Sequence, residues 1–115
     1  MSILNFRRYA RVQVDIPIKF SRKNSQETIS AYLNNISEEG ASLISPSTIP
    51  VATTLEFDLK LAPKLAPVHV QCEVLWARPV KEDGQDVFAH GLMFQRVNVE
   101  DRQRLHEYIS STMSY

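Results

Sequence analysis

Val12-Gln13-Val14-Asp15-Ile16-Pro17-Ile18-Lys19-Phe20 decides the fold class of the chain. Val12, Val14, Ile16, Ile18 and Phe20 fall on one face and Gln13, Asp15, Pro17 and Lys19 on the other, the period of a strand with one buried side. Pro17 has no N–H to donate, so it belongs at a sheet edge or a bulge. Downstream, the polar stretch Ser21 to Glu27 precedes a second strand, Thr28 to Ile36. The turn Ser37-Glu38-Glu39-Gly40 then returns the chain as a third, Ala41 to Ser45. Pro46 and Pro50 bracket a loop before Thr54 to Leu61, where Leu55, Phe57, Leu59 and Leu61 alternate again.

A long fifth strand places Val68, Val70, Cys72, Val74 and Trp76 on one face. Glu82-Asp83-Gly84-Gln85 carries turn chemistry into a sixth strand, Val87 to Val97, which should pair antiparallel with the fifth. The period changes at Asn98, a candidate N-cap. Glu100 and Asp101 occupy the first helical turn, and Leu105, Tyr108, Ile109 and Met113 recur at helical spacing. Strands joined by hairpin-length connections, without intervening helices, predict an all-β protein: a six-stranded antiparallel β-barrel with a C-terminal α-helix. The expected layout is one domain over 1–115, with a basic arm at 1–11, the barrel at 12–97 and the helix at 98–113.

A chain of 115 residues, 43% hydrophobic and 23% charged, suits a single core. Cys72 is the lone cysteine, so no intramolecular disulfide staples the fold, which points to the cytosol. Met1-Ser2-Ile3-Leu4-Asn5-Phe6 runs into Arg7-Arg8 without an apolar signal core, and no window reaches the ~18 apolar residues of a membrane span. A cytoplasmic protein with no membrane insertion is the expectation. The 13 basic and 13 acidic residues cancel, yet Arg7, Arg8, Arg11, Lys19, Arg22 and Lys23 stand against Asp15 alone in the first 23 residues. Such an arm on a neutral domain suits a compact anion, whereas duplex nucleic acid calls for a broader cationic surface.

Enzyme signatures are missing. His69, His90 and His106 are scattered and form no HExxH-like pair, and Cys72 falls on an apolar strand face. GxGxxG, GxSxG and the phosphate loop GxxxxGK followed by Ser or Thr do not occur. The expectation is a non-enzyme with neither cofactor nor metal.

Two clusters do not read as core. In Arg7-Arg8-Tyr9-Ala10-Arg11, arginines four apart on a short arm can close on one ligand, forking onto phosphate oxygens or the O6/N7 edge of guanine. In Asn35-Ile36-Ser37-Glu38-Glu39-Gly40, Asn35 and Ser37 leave one face of an extended segment, and Gly40 permits a positive φ or a close backbone approach. Taken alone, the second cluster reads first as an ordinary Asn/Ser/Gly turn. Trp76 and Arg78 either add a stacking surface or, for the tryptophan, fill the barrel interior.

The combination of RxxxR at Arg7 to Arg11 with D/N-x-S-x-x-G at Asn35, Ser37 and Gly40 resembles the bipartite signature of PilZ domains, which bind the bacterial second messenger cyclic di-GMP. His90-Gly91-Leu92-Met93-Phe94 is similar to that family's late G-hydrophobic-x-F strand, and nearly the whole chain is covered. The resemblance implies an arginine arm folded over a ligand on the barrel surface. Arg7 and Arg11 would engage phosphate and guanine, with Arg8 beside them. Asn35 and Ser37 would meet a guanine edge or a phosphate, Gly40 would keep the hairpin open, and Trp76 would be an outer contact. Asn35 stands where the family often has Asp. Phe6 stands where an Arg favours an intercalated pair, which implies a single ligand here.

The function implied is a receptor that transmits the messenger level to an unidentified protein partner, with no DNA or RNA involved. Two rivals are a nucleotide-independent protein-interaction adaptor on the same fold and a small barrel for single-stranded nucleic acid. The latter is disfavoured because Phe20, Phe57 and Trp76 fall on apolar faces.

Overall fold

The computed structural model describes residues 10–21 and 27–113. Six strands, β1 (Val12–Ser21), β2 (Thr28–Ile36), β3 (Gly40–Ser45), β4 (Thr54–Leu59), β5 (Val68–Glu82) and β6 (Gln85–Arg96), precede one helix, α1 (Val99–Met113). All neighbours pair antiparallel in the order β1-β2-β3-β6-β5-β4. The sheet curls into a half-barrel until its edges, β1 and β4, pack against each other. Pro17 accordingly sits on an edge strand.

The two-residue period builds the core. Ile16, Ile18 and Phe20 of β1 join Leu33 and Ile36 of β2, Leu43 of β3, Leu55, Phe57 and Leu59 of β4, and Val68, Val70, Cys72 and Val74 of β5. Burial of each large apolar side chain contributes about 1.5–3 kcal/mol. α1 lies against β5 and β1 and packs Leu105 and Ile109 into this cluster. Asn98 caps it as expected: its Oδ1 accepts from the Asp101 N–H at 2.8 Å. The buried Asp101 carboxylate then accepts from the His69 backbone N–H of β5 at 3.1 Å and pairs with Arg104, which ties the start of the helix to the sheet.

The β5–β6 hairpin closes through Asp83 (φ 50°) and Gly84 (φ 79°), two left-handed residues whose twist matches that of the strands they join. β4 ends at Leu59 and not at Leu61, although Leu61 remains buried. β6 starts two residues earlier than the alternation suggests, at Gln85.

One expectation fails in a way that matters. Trp76 does not continue the buried face of β5, nor does it fill the barrel. Val74 pairs with Leu92 but Trp76 pairs with Gly91, so β5 carries one extra residue at Leu75. This β-bulge shifts the pleat by one residue and sends Trp76 to the outer face, where it is 41% exposed.

Candidate functional site

The bulge makes one wall of a cleft of about 480 Å³ on the outer face of β2, β3, β6 and β5. Its floor, on β3 and β6, includes the small or short residues Ala41, Ser42, Ala89 and Gly91 beside Ile44 and Leu92. Arg11 and Asn35 stand on one side, Trp76 and Arg78 on the other, and Val80, Lys81 and Glu82 extend that wall along the β5–β6 hairpin.

Arg11 precedes β1, and Asn35 is the penultimate residue of β2, opposite Gln13 and Ser42. The Arg11 guanidinium donates from Nη1 to Asn35 Oδ1 at 2.6 Å, so a residue from each sequence cluster meets at the cleft. The charge on the donor makes this a strong hydrogen bond. Across the floor, Arg78 lies over the Trp76 indole, 5.1 Å from the ring centroid, and holds a second cation against an aromatic face. Lys81 is the third cation of the lining, paired at 3.0 Å with the exposed Asp86.

Ser37 and Gly40 lie elsewhere. Ser37 is buried, and its hydroxyl accepts from the Glu39 and Gly40 N–H groups at 3.2 Å each while its own N–H donates to the Gly40 carbonyl at 2.8 Å. The side chain therefore holds the β2–β3 turn and does not line the cleft. Gly40 has no positive φ; an added Cβ would overlap the Leu92 carbonyl oxygen of β6. Glu38, on the same turn, reaches His106 of α1 at 2.9 Å. Arg7 and Arg8 fall outside the described residues.

Tyr32 and His90 carry no signature of their role in the sequence, and Gly91 carries a partial one. Tyr32 of β2 donates its hydroxyl to Glu82 at the hairpin end of the cleft. Gly91 faces the Trp76 ring, and a lone glycine within a strand pattern is the available hint of such a close approach. His90, fully buried between Ala89 and Gly91, points the other way. Its Nε2 accepts from the Ile49 N–H at 2.9 Å and its Nδ1 faces the Leu43 carbonyl at 3.4 Å, which fits a neutral ring protonated at Nδ1. Burial holds its pKa below the usual 6.5.

Fold and cleft together define a β half-barrel domain with a cationic groove on its outer face. The chain belongs to the PilZ domain family, whose model matches residues 5–111 and so takes in both motifs. Solved structures agree in fold. The PilZ domain of YcgR from Escherichia coli with c-di-GMP superposes with a TM-score of 0.72 at 14% identity, over 92% of this chain and 90% of that one. The K. pneumonia MrkH complex with c-di-GMP gives 0.78 at 16% identity, over 93% and 52%. The Bacillus subtilis inhibitor of motility MotI gives 0.74 at 16%, over 95% and 52%. The chain thus spans about half the length of the MotI and MrkH chains. No curated protein matches its sequence. Among the described residues, no helix is long and apolar enough to cross a membrane.

Proposed function

We propose that the cleft binds cyclic di-GMP and that the protein is a binding module for this bacterial second messenger, not an enzyme. The observation that carries the proposal is the Arg11–Asn35 hydrogen bond, which joins the two halves of the family motif at the edge of a groove with Trp76 on its far wall. The ligand is a compact dianion with two purines, and the groove offers arginines for phosphate or a guanine edge and an indole for stacking. The fold neighbours from Escherichia coli and K. pneumonia were solved with c-di-GMP, which supports the same ligand.

In this scheme Arg11, Asn35 and Trp76 touch the ligand, and Arg7 and Arg8 complete the grip from the arm. Ser37 and Gly40 act through the turn, keeping Asn35 in register with Ser42. Binding closes the arm over the cleft in the cytoplasm, and a partner protein reads the altered surface. Isothermal titration with cyclic di-GMP is expected to give an affinity in the micromolar range or tighter, abolished in Arg11→Ala. An intact protein that releases no heat would sink the proposal. Protection of the arm from protease by ligand tests the closing step.

A further inference from the structure

Glu82 is an odd neighbour for a dianion. Among the described residues lining the cleft it is the one carboxylate, and Lys81 beside it is already paired with Asp86. Its side chain is not left to turn away, because the Tyr32 hydroxyl reaches from β2 and donates to Oε1. The Tyr32 pKa is pushed up to about 12, first by burial and then by Glu82, so the hydroxyl remains a donor at neutral pH. A carboxylate fixed in this way only accepts hydrogen bonds. It repels phosphate and stabilises a ligand group that presents N–H donors. Guanine offers two together, N1–H and the 2-amino group, whereas adenine would set its N1 lone pair against the carboxylate.

We propose that Glu82, held by Tyr32, is a specificity-determining residue that accepts hydrogen bonds from the N1–H and 2-amino group of one guanine of the ligand. The proposal rests on the cyclic di-GMP reading above. Arg11 and Asn35 stand at the β1–β2 side of the cleft and Glu82 at the hairpin end, so a ligand with two purines meets a different polar partner at each. Tyr32 is a positioning residue: it sets the carboxylate and does not itself meet the base.

Isothermal titration can compare cyclic di-GMP with cyclic di-inosine monophosphate, which keeps N1–H and lacks the 2-amino group, on intact protein and on Glu82→Ala. In the intact protein the missing amino group is expected to weaken binding roughly tenfold, the scale of one charge-assisted hydrogen bond. In Glu82→Ala the two ligands should bind alike. The same collapse is expected when Glu82→Ala is placed in Tyr32→Phe, where no tyrosine hydroxyl loses its partner. An equal preference in the intact and variant proteins overturns the proposal, because a Glu82 that merely braced the hairpin would weaken both ligands by one factor. No preference in the intact protein also overturns it. Binding of neither ligand by intact protein removes the cyclic di-GMP reading as well, so the two failures are distinct.

Discussion

Gly40 and Gly91 lie on neighbouring strands two ladder steps apart, Gly40 opposite Met93 and Gly91 opposite Ser42, and a Cβ fits at neither. Among the described glycines only Gly84 has a positive φ, so close approach explains both. The obstacles differ. At Gly40 the Cβ would strike the Leu92 carbonyl oxygen, part of the β6 backbone; at Gly91 it would strike the Trp76 indole, a side chain on the surface. A backbone cannot yield without opening the ladder, whereas an indole can swing away. One glycine therefore serves the fold and the other the site, although the same family strand brings both into contact.

Gly40→Ala is the harshest test of that division. Separating β3 from β6 overpacks the sheet and should cost about 3 kcal/mol, read as a lower midpoint in urea unfolding with little change in slope. Because β3 and β6 are central in the strand order, the loss should be global and not confined to the turn. A variant as stable as the parent would mean that the β3–β6 ladder yields locally, and the contrast with Gly91 would collapse.

Gly91→Ala should show the opposite profile. The new methyl displaces Trp76 from the cleft wall, and stability should change by roughly 0.5–1 kcal/mol, since an exposed ring is what moves. Cyclic di-GMP affinity should fall roughly tenfold, the low end of the stacking contribution of one aromatic platform. Trp76→Ala should lose as much, and the double variant no more than either single, because both act through one ring. Additive losses would place a second, independent role on Gly91.

How far these roles are legible in the sequence depends on the length of the pattern that encodes them. Nine alternating residues from Val12 to Phe20 identify β1, and the Asp83-Gly84 pair identifies the β5–β6 turn, because each is a local signal. The bulge at Leu75 is a single extra residue against Gly91; a glycine inside a strand pattern hints at it without fixing where the partner strand gains its residue, so alternation alone puts Trp76 on the buried face. Ser37 looks like a ligand group in the motif because a hydroxyl two residues from Asn35 should share its face. The turn takes that hydroxyl inward instead. Tyr32 and Glu82 are 50 residues apart and meet only because β2 and the β5–β6 hairpin flank the end of β3.

His90 is the chain neighbour of Gly91 and faces inward where Gly91 faces the Trp76 ring. Its folded pKa lies below the ordinary 6.5, with burial the main cause and the Leu43 carbonyl opposing it. Below that value the unfolded chain binds a proton that the folded ring resists, so the neutral ring's contribution to stability is complete above about pH 6.5 and drains away as pH falls toward the folded pKa. His69 has the reverse sign. Asp58 and then Glu56 raise its pKa, so its contribution is full below 6.5 and fades as pH rises through the folded value. It is exposed, hence screened, and its window lies on the other side of 6.5. Urea unfolding between pH 5 and 8, on the order of those bounds, should therefore show an acid-side decline in the parent that flattens in His90→Gln, whose amide can still accept from the Ile49 N–H without titrating. Protonation breaks the tie that holds Ile49 and its loop to β6, behind the cleft floor, so ligand affinity on the folded protein should follow stability only weakly. A decline of equal slope in both proteins would move the acid sensitivity away from His90.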